Sequence, residues 1–232
     1  MRERLVALHP NKDRRWVTAE FDLFLRADTR AMHELLQKET EDDYEMSVDR
    51  LRLAFQERDT VAAERVLERL YALDEDAISA RAVGETKFNR AYLEGLIHRI
   101  NGDTASASNA FSKARLQQEK VASLQPDYGP VLSVLGLIDA ALGRKEDALR
   151  EGRRAPELTP PEKDSLDAAD VVYYYAVIGA WAGERDLAIE QLERSAKMPA
   201  GVSYAEIRLD PHWDSLRGDP RFEKIASSLA PK

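Results

Sequence analysis

Residues capable of chemistry are scattered along this chain. The four histidines, His9, His33, His98 and His212, share no metal-ligand spacing such as i, i+4 on one helix. His33 beside Glu34 and His98 beside Arg99 read as surface or groove residues. The acidic run Glu39, Glu41, Asp42, Asp43 and Glu45 reads as a solvated turn, because a calcium loop needs spaced ligands and a glycine. Ser203, in Gly201-Val-Ser-Tyr-Ala205, lacks the second glycine of a nucleophile elbow. Gly84, Gly95 and Gly102 stand too far apart to cradle a phosphate. There are no cysteines, hence no disulfide framework and no thiolate metal site, which fits a reducing compartment. The expectation is a protein without catalytic residues, metal or cofactor, and not an enzyme.

Composition narrows the class further. The formal charge of −8 argues against a general nucleic-acid binder, which needs a basic face. Arg144, Lys145, Arg150, Arg153 and Arg154 lie close together, but Glu146, Asp147 and Glu151 interleave with them, so they read as a solvated helix face. The N-terminal apolar run of four residues is too short for a signal core, and no stretch approaches membrane-spanning length. A soluble, cytoplasmic protein without a membrane partner is expected. Charged residues make up 33% of the chain and β-branched residues are sparse, which favours helices with charged surfaces.

The elements follow from punctuation. Gly102, Gly143 and Gly183 each sit in a short polar turn between apolar helical stretches, 41 and 40 residues apart. Ala107, Ala148 and Ala188 follow them by five residues; Gly95, Gly136 and Ala176 precede them by seven. Such a period belongs to helix-turn-helix repeats. Asp28-Thr29, Asp59-Thr60 and Asp103-Thr104 read as N-caps, since their oxygens can accept from the orphan amides of a following helix. Turns at Ala27, Arg58, Gly102, Gly143 and Gly183 make about five units. Their first helices run roughly 15–27, 45–57, 77–101, 129–142 and 165–182. Their partners run roughly 29–40, 60–73, 104–124, 145–155 and 184–197. Leu132, Leu135, Ile138 and Leu142 form one apolar stripe at helical spacing. Gly95 and Gly136 suit a close crossing of two helices.

The stretch Leu135-Gly136, Gly143, Ala148, Ala155, Pro160 resembles a tetratricopeptide repeat. The units around Gly95, Gly102, Ala107, Phe111 and Ala114, and around Tyr175-Ala176, Gly183, Ala188 and Leu192, resemble it too. The resemblance covers 88–200 well and 15–75 loosely. It implies an all-α chain: a right-handed α-solenoid with two degenerate hairpins over 1–75, three repeats over 76–200 and capping helices over 201–232. In that tail, Asp210-Pro211 and Asp219-Pro220 each start a helix, and Trp213 and Phe222 are the expected plugs. The tail is similar to the C-terminal ends of repeat modules in bacterial multidomain serine/threonine kinases and related signalling proteins. That likeness implies a docking or regulatory part of a larger protein.

In such a solenoid the first helices line the concave face. The residues placed there are Asn89, Tyr92, Leu96 and Arg99; then Ser133 and Leu137; then Asp170, Tyr173, Tyr174, Val177 and Trp181. An aromatic groove with one arginine suits a peptide or partner protein, because these side chains dominate interface energetics. A self-assembling solenoid, forming a homodimer through groove and tail, is one alternative, and an enzyme with an unrecognised site is another. Tyr92 and Leu96 stand where a Lys/Asn carboxylate clamp would begin, which argues against a receptor for chaperone tails.

Overall fold

The computed structural model describes residues 14–38, 44–73 and 82–231. Among these residues twelve α-helices follow one another. They are α1 Arg14–Arg26, α2 Arg30–Lys38, α3 Tyr44–Glu57, α4 Thr60–Leu73, α5 Arg90–Ile100 and α6 Thr104–Leu124. Then come α7 Gly129–Ala141, α8 Lys145–Leu158, α9 Ser165–Trp181, α10 Arg185–Ser195, α11 Tyr204–Leu209 and α12 Pro220–Ser228. A 3-10 turn, Pro211–Trp213, follows α11. Apart from a ribbon of two residues per strand, β1 Ala82–Val83 antiparallel to β2 Thr86–Lys87, the regular structure among the described residues is all helical. No helix among the described residues is long and apolar enough to cross a membrane.

Five hairpins share one turn. Ala27, Arg58, Gly102, Gly143 and Gly183 all take positive φ, between 54° and 80°. In the last four, the amide of the next residue donates five residues back, at 2.8–2.9 Å, as in Asp103 N–H to His98 O and Glu184 N–H to Gly179 O. This is the Schellman closure, which satisfies carbonyls that the helix end would orphan. Asp28, Asp59 and Asp103 then accept from Arg30 N, Ala62 N and Ser106 N, so each starts the next helix. Consecutive helices pack on one another, and α7 also touches α9. At Gly95 an added Cβ would lie 2.7 Å from the Phe111 ring, so the crossing of α5 and α6 admits no side chain there.

The helix expected from residue 77 is corrected. Residues 77–81 lie outside the described residues, as do Glu39 to Asp43 of the acidic run and His9. Residues 82–87 form the ribbon, and α5 starts only after Asn89. Gly84 holds φ at +54°, a left-handed value that breaks any helix run, and a Cβ there would lie 2.6 Å from Asp167 Oδ2. The ribbon packs on α7 and α9.

The apolar interior is divided. One continuous core runs from Leu51 on α3 to Ala226 on α12. A smaller cluster, Ala19, Leu23, Met32, Leu35, Leu36 and Leu53, joins α1, α2 and α3, with Leu209 of α11 packed against it. That last contact shows where the tail goes. α12 packs on α10 of the last hairpin, but α11 packs on α1, from the first hairpin. The tail does more than cover the end of the last repeat.

Candidate functional site

The 3-10 turn after α11 lies against α9, and its side chains meet the aromatic residues of α5 and α9. Asp210 caps this turn by accepting from His212 N–H at 3.0 Å. Its Oδ1 also stands 2.5 Å from His212 Nδ1. A carboxylate can only accept, so Nδ1 carries the hydrogen, and Nε2 shares a hydrogen bond with the Tyr92 hydroxyl at 2.8 Å. Tyr173 O–H donates to Asp210 Oδ2 at 2.9 Å. Trp181 stacks on the His212 ring at 5.1 Å, and its Nε1–H donates to the His212 carbonyl at 3.0 Å. Trp213 is fully buried against Tyr173, ring centres 5.3 Å apart. Asp210 and His212 are buried polar residues whose bonds are made within the wall.

Arg58 ties the other side of this segment. One guanidinium nitrogen donates to Leu209 O at 2.9 Å and to Gln56 O at 2.8 Å, and the other reaches Asp214 at 2.6 Å. Arg217 also donates to Asp214, at 2.8 Å, and to Asp210 O at 3.2 Å. The second hairpin thus holds the tail from one side while α5 and α9 hold it from the other.

A cavity of about 460 Å³ remains between them. Val48, Arg52, Phe55 and Gln56 of α3 form one wall with Phe24 of α1. Phe88 and the α5 residues Tyr92, Leu93 and Leu96 form another, and Asp170, Tyr173 and Tyr174 of α9 a third. The tail closes it with Ala200, Gly201, Glu206, Asp210, Pro211 and His212. Phe88 stacks on Tyr92 at 4.4 Å and meets Tyr174 edge-on at 5.5 Å, so the aromatic walls brace one another.

The expected concave residues separate into three groups. Tyr92, Leu96, Asp170, Tyr173 and Tyr174 line the cavity. Arg99 and Trp181 form a pair beside it, the guanidinium 4.3 Å from the ring centre. Burial lowers the Arg99 pKa from its ordinary value. The others are elsewhere: Ser133, Leu137 and Val177 are buried in the core, and Asn89 is the N-cap of α5. Asn89 accepts from Tyr92 N–H, as an asparagine before a helix does in the first turn, and donates to Ala114 O on the neighbouring helix α6. The expected open aromatic groove is corrected as well, since the chain's own tail covers Tyr92, Tyr173 and Trp181 with bonds and stacked rings. Sequence reading missed the tail residues and those of α3. Asp210-Pro211 signalled a helix start, and no local spacing linked it to Tyr92.

A buried polar cluster lies apart from the cavity, between α6, α7 and α8. Asp139 is fully buried and accepts from Arg115 Nε at 2.5 Å, and Arg144 Nε pairs with the same oxygen at 2.8 Å. Burial, and then the neighbouring Asp139 charge, push the Glu151 carboxyl up to about 8. Among the described residues no group of His, Cys, Asp and Glu is placed to hold a metal ion. No protein-family model, no curated protein and no solved structure matches the chain.

Proposed function

We propose that this protein is a recognition module, a right-handed solenoid of tetratricopeptide-like hairpins whose binding site is the cavity enclosed by its concave helices and its tail. The repeating left-handed turns and the order of helix packing support the solenoid. The observation that carries the function is the cavity itself. Its volume, about 460 Å³, falls within the range of small-molecule sites. It admits a small molecule or one side chain inserted by a partner protein. The Asp210–His212–Tyr92 chain serves to fix the wall, since the bonds of Tyr92, Tyr173 and Trp181 all anchor the tail. The likeness of the tail to those of bacterial signalling proteins supports a sensor or docking role within a larger regulator.

The test is ligand retention. The protein, incubated with the small-molecule and peptide fractions of a cell extract, should retain compounds on ultrafiltration that Val48→Phe does not. Val48 is a partly buried residue of the cavity wall, so a larger side chain there should fill space without breaking the core. Equal retention by both proteins, with matching melting temperatures, would remove the cavity from the function.

A further inference from the structure

We propose that the cavity takes an aromatic ligand that carries an N–H or O–H donor, of the indole or phenol class; this rests on the cavity being the binding site. Phe24 of α1, Phe55 of α3, Phe88, and Leu93 and Leu96 of α5 give the lining apolar surface from separate parts of the chain. The rings of Phe88, Tyr92 and Tyr174 already meet stacked and edge-on. A flat ligand entering beside them adds contacts of the same two kinds, and such ring pairs are worth more than their buried area alone.

Gln56 supplies the partner for the donor. The residue is buried to 9% exposure and lines the cavity, and among the described residues its Oε1 has no hydrogen-bond partner. Its main-chain carbonyl accepts from Arg58, which holds the backbone beside the cavity. The last torsion of a glutamine is broad, so the oxygen can turn toward a donor there. A buried acceptor without a donor is a standing cost that a ligand N–H or O–H removes. The charged side chains of the lining are engaged within the protein. Arg52 pairs with Asp49, and Asp210 is held by His212 and Tyr173. Glu206 accepts from Ser203 N–H, and Asp170 Oδ2 stands 3.4 Å from Gly84 N. Recognition therefore falls to the rings and to Gln56.

Paired probes that differ only in the donor test this. Indole and N-methylindole share one ring system, as phenol and anisole do, and only the first of each pair has an N–H or O–H. By titration calorimetry on the full chain, indole should bind roughly fivefold or more tightly than N-methylindole, and phenol than anisole. Cyclohexanol keeps the hydroxyl without the aromatic ring and should bind more weakly than phenol. N-acetyltryptophanamide presents the same indole as a protein would. If it binds more tightly than indole, the source is a partner's side chain; if more weakly, it is a free aromatic molecule. Either order supports the ring and its donor. Gln56→Leu, close in size and without the amide, should bring indole and N-methylindole to equal affinity, and Val48→Phe should weaken both. Should Gln56→Leu not fold, the wild-type pairs decide alone. Equal wild-type affinity for indole and N-methylindole, cyclohexanol matching phenol, or a preference for indole that survives Gln56→Leu would overturn the proposal. Failure of every probe while Val48→Phe still blocks retention from the extract would overturn the ligand class alone and leave the cavity as the site. Retention unaffected by Val48→Phe would remove the cavity, and this ligand with it.

Discussion

The first two hairpins and the last three make the same turn with different residues. In the last three, glycine occupies the left-handed position, and a Cβ built at Gly102, Gly143 or Gly183 meets nothing within 4 Å. Glycine is there for φ alone. The first two place Ala27 and Arg58 at φ of 54° and 57°, which costs a non-glycine residue about 1–2 kcal/mol. At Arg58 the strain has a use, because its guanidinium bonds Leu209 O, Gln56 O and Asp214 and closes the tail over the cavity. Among the described residues no bond of the Ala27 side chain offsets this cost. The regular hairpins therefore act as scaffold, and the irregular ones supply the clamp and one cavity wall.

The largest expected effect would come from the tail. Trp213 is fully buried in the core shared by the regular hairpins, so Trp213→Ala should cost roughly 3–5 kcal/mol in chemical denaturation. A loss below about 1 kcal/mol would detach the tail from that core and break the comparison. Next comes Gly95→Ala, which forces a methyl against the Phe111 ring and should cost about 1–3 kcal/mol by the same measurement.

The turns themselves give a smaller and paired effect. Ala27→Gly should stabilise and Gly143→Ala destabilise, each by about 1 kcal/mol, because only the backbone preference changes. At the clamp both variants lose the guanidinium, and Arg58→Ala should be less stable than Arg58→Gly by about 1 kcal/mol, the part due to strain. Equal stabilities of those two variants would mean that Arg58 is not strained.

The smallest effect is a slope. Glu151 has its folded pKa raised from 4.5 to about 8, so the native state favours its neutral form. Its contribution is fully present below the ordinary carboxylate range and is lost as pH rises through about 8. Thermal melts of the wild type should weaken over that window, and Glu151→Gln should flatten this part of the curve. An unchanged slope would mean that neither burial nor the Asp139 charge raises the Glu151 carboxyl.

How much could be read in advance differs between local and distant features. The five turn positions were legible because a helix end and a turn residue lie close together in the chain, joined in the first three by an Asp cap. The ribbon at 82–87 was not, since Val83 and Thr86 form too short a pairing to show a period, and it rests on α7 and α9. Tyr173 and Tyr174 line the cavity, but no local spacing showed what faces them.

By itself, the sequence determined the helices, their hairpin order and the left-handed turns. Each is set by hydrogen bonds and side-chain periods spanning one or two helical turns. Only the tertiary structure decided that the tail returns across α9 to α1, bringing His212 to Tyr92 over 120 residues of chain. No spacing encodes that meeting. It follows from buried aromatic surface on two remote helices and from a strained arginine that holds the segment between them, and the cavity exists because that segment spans the gap.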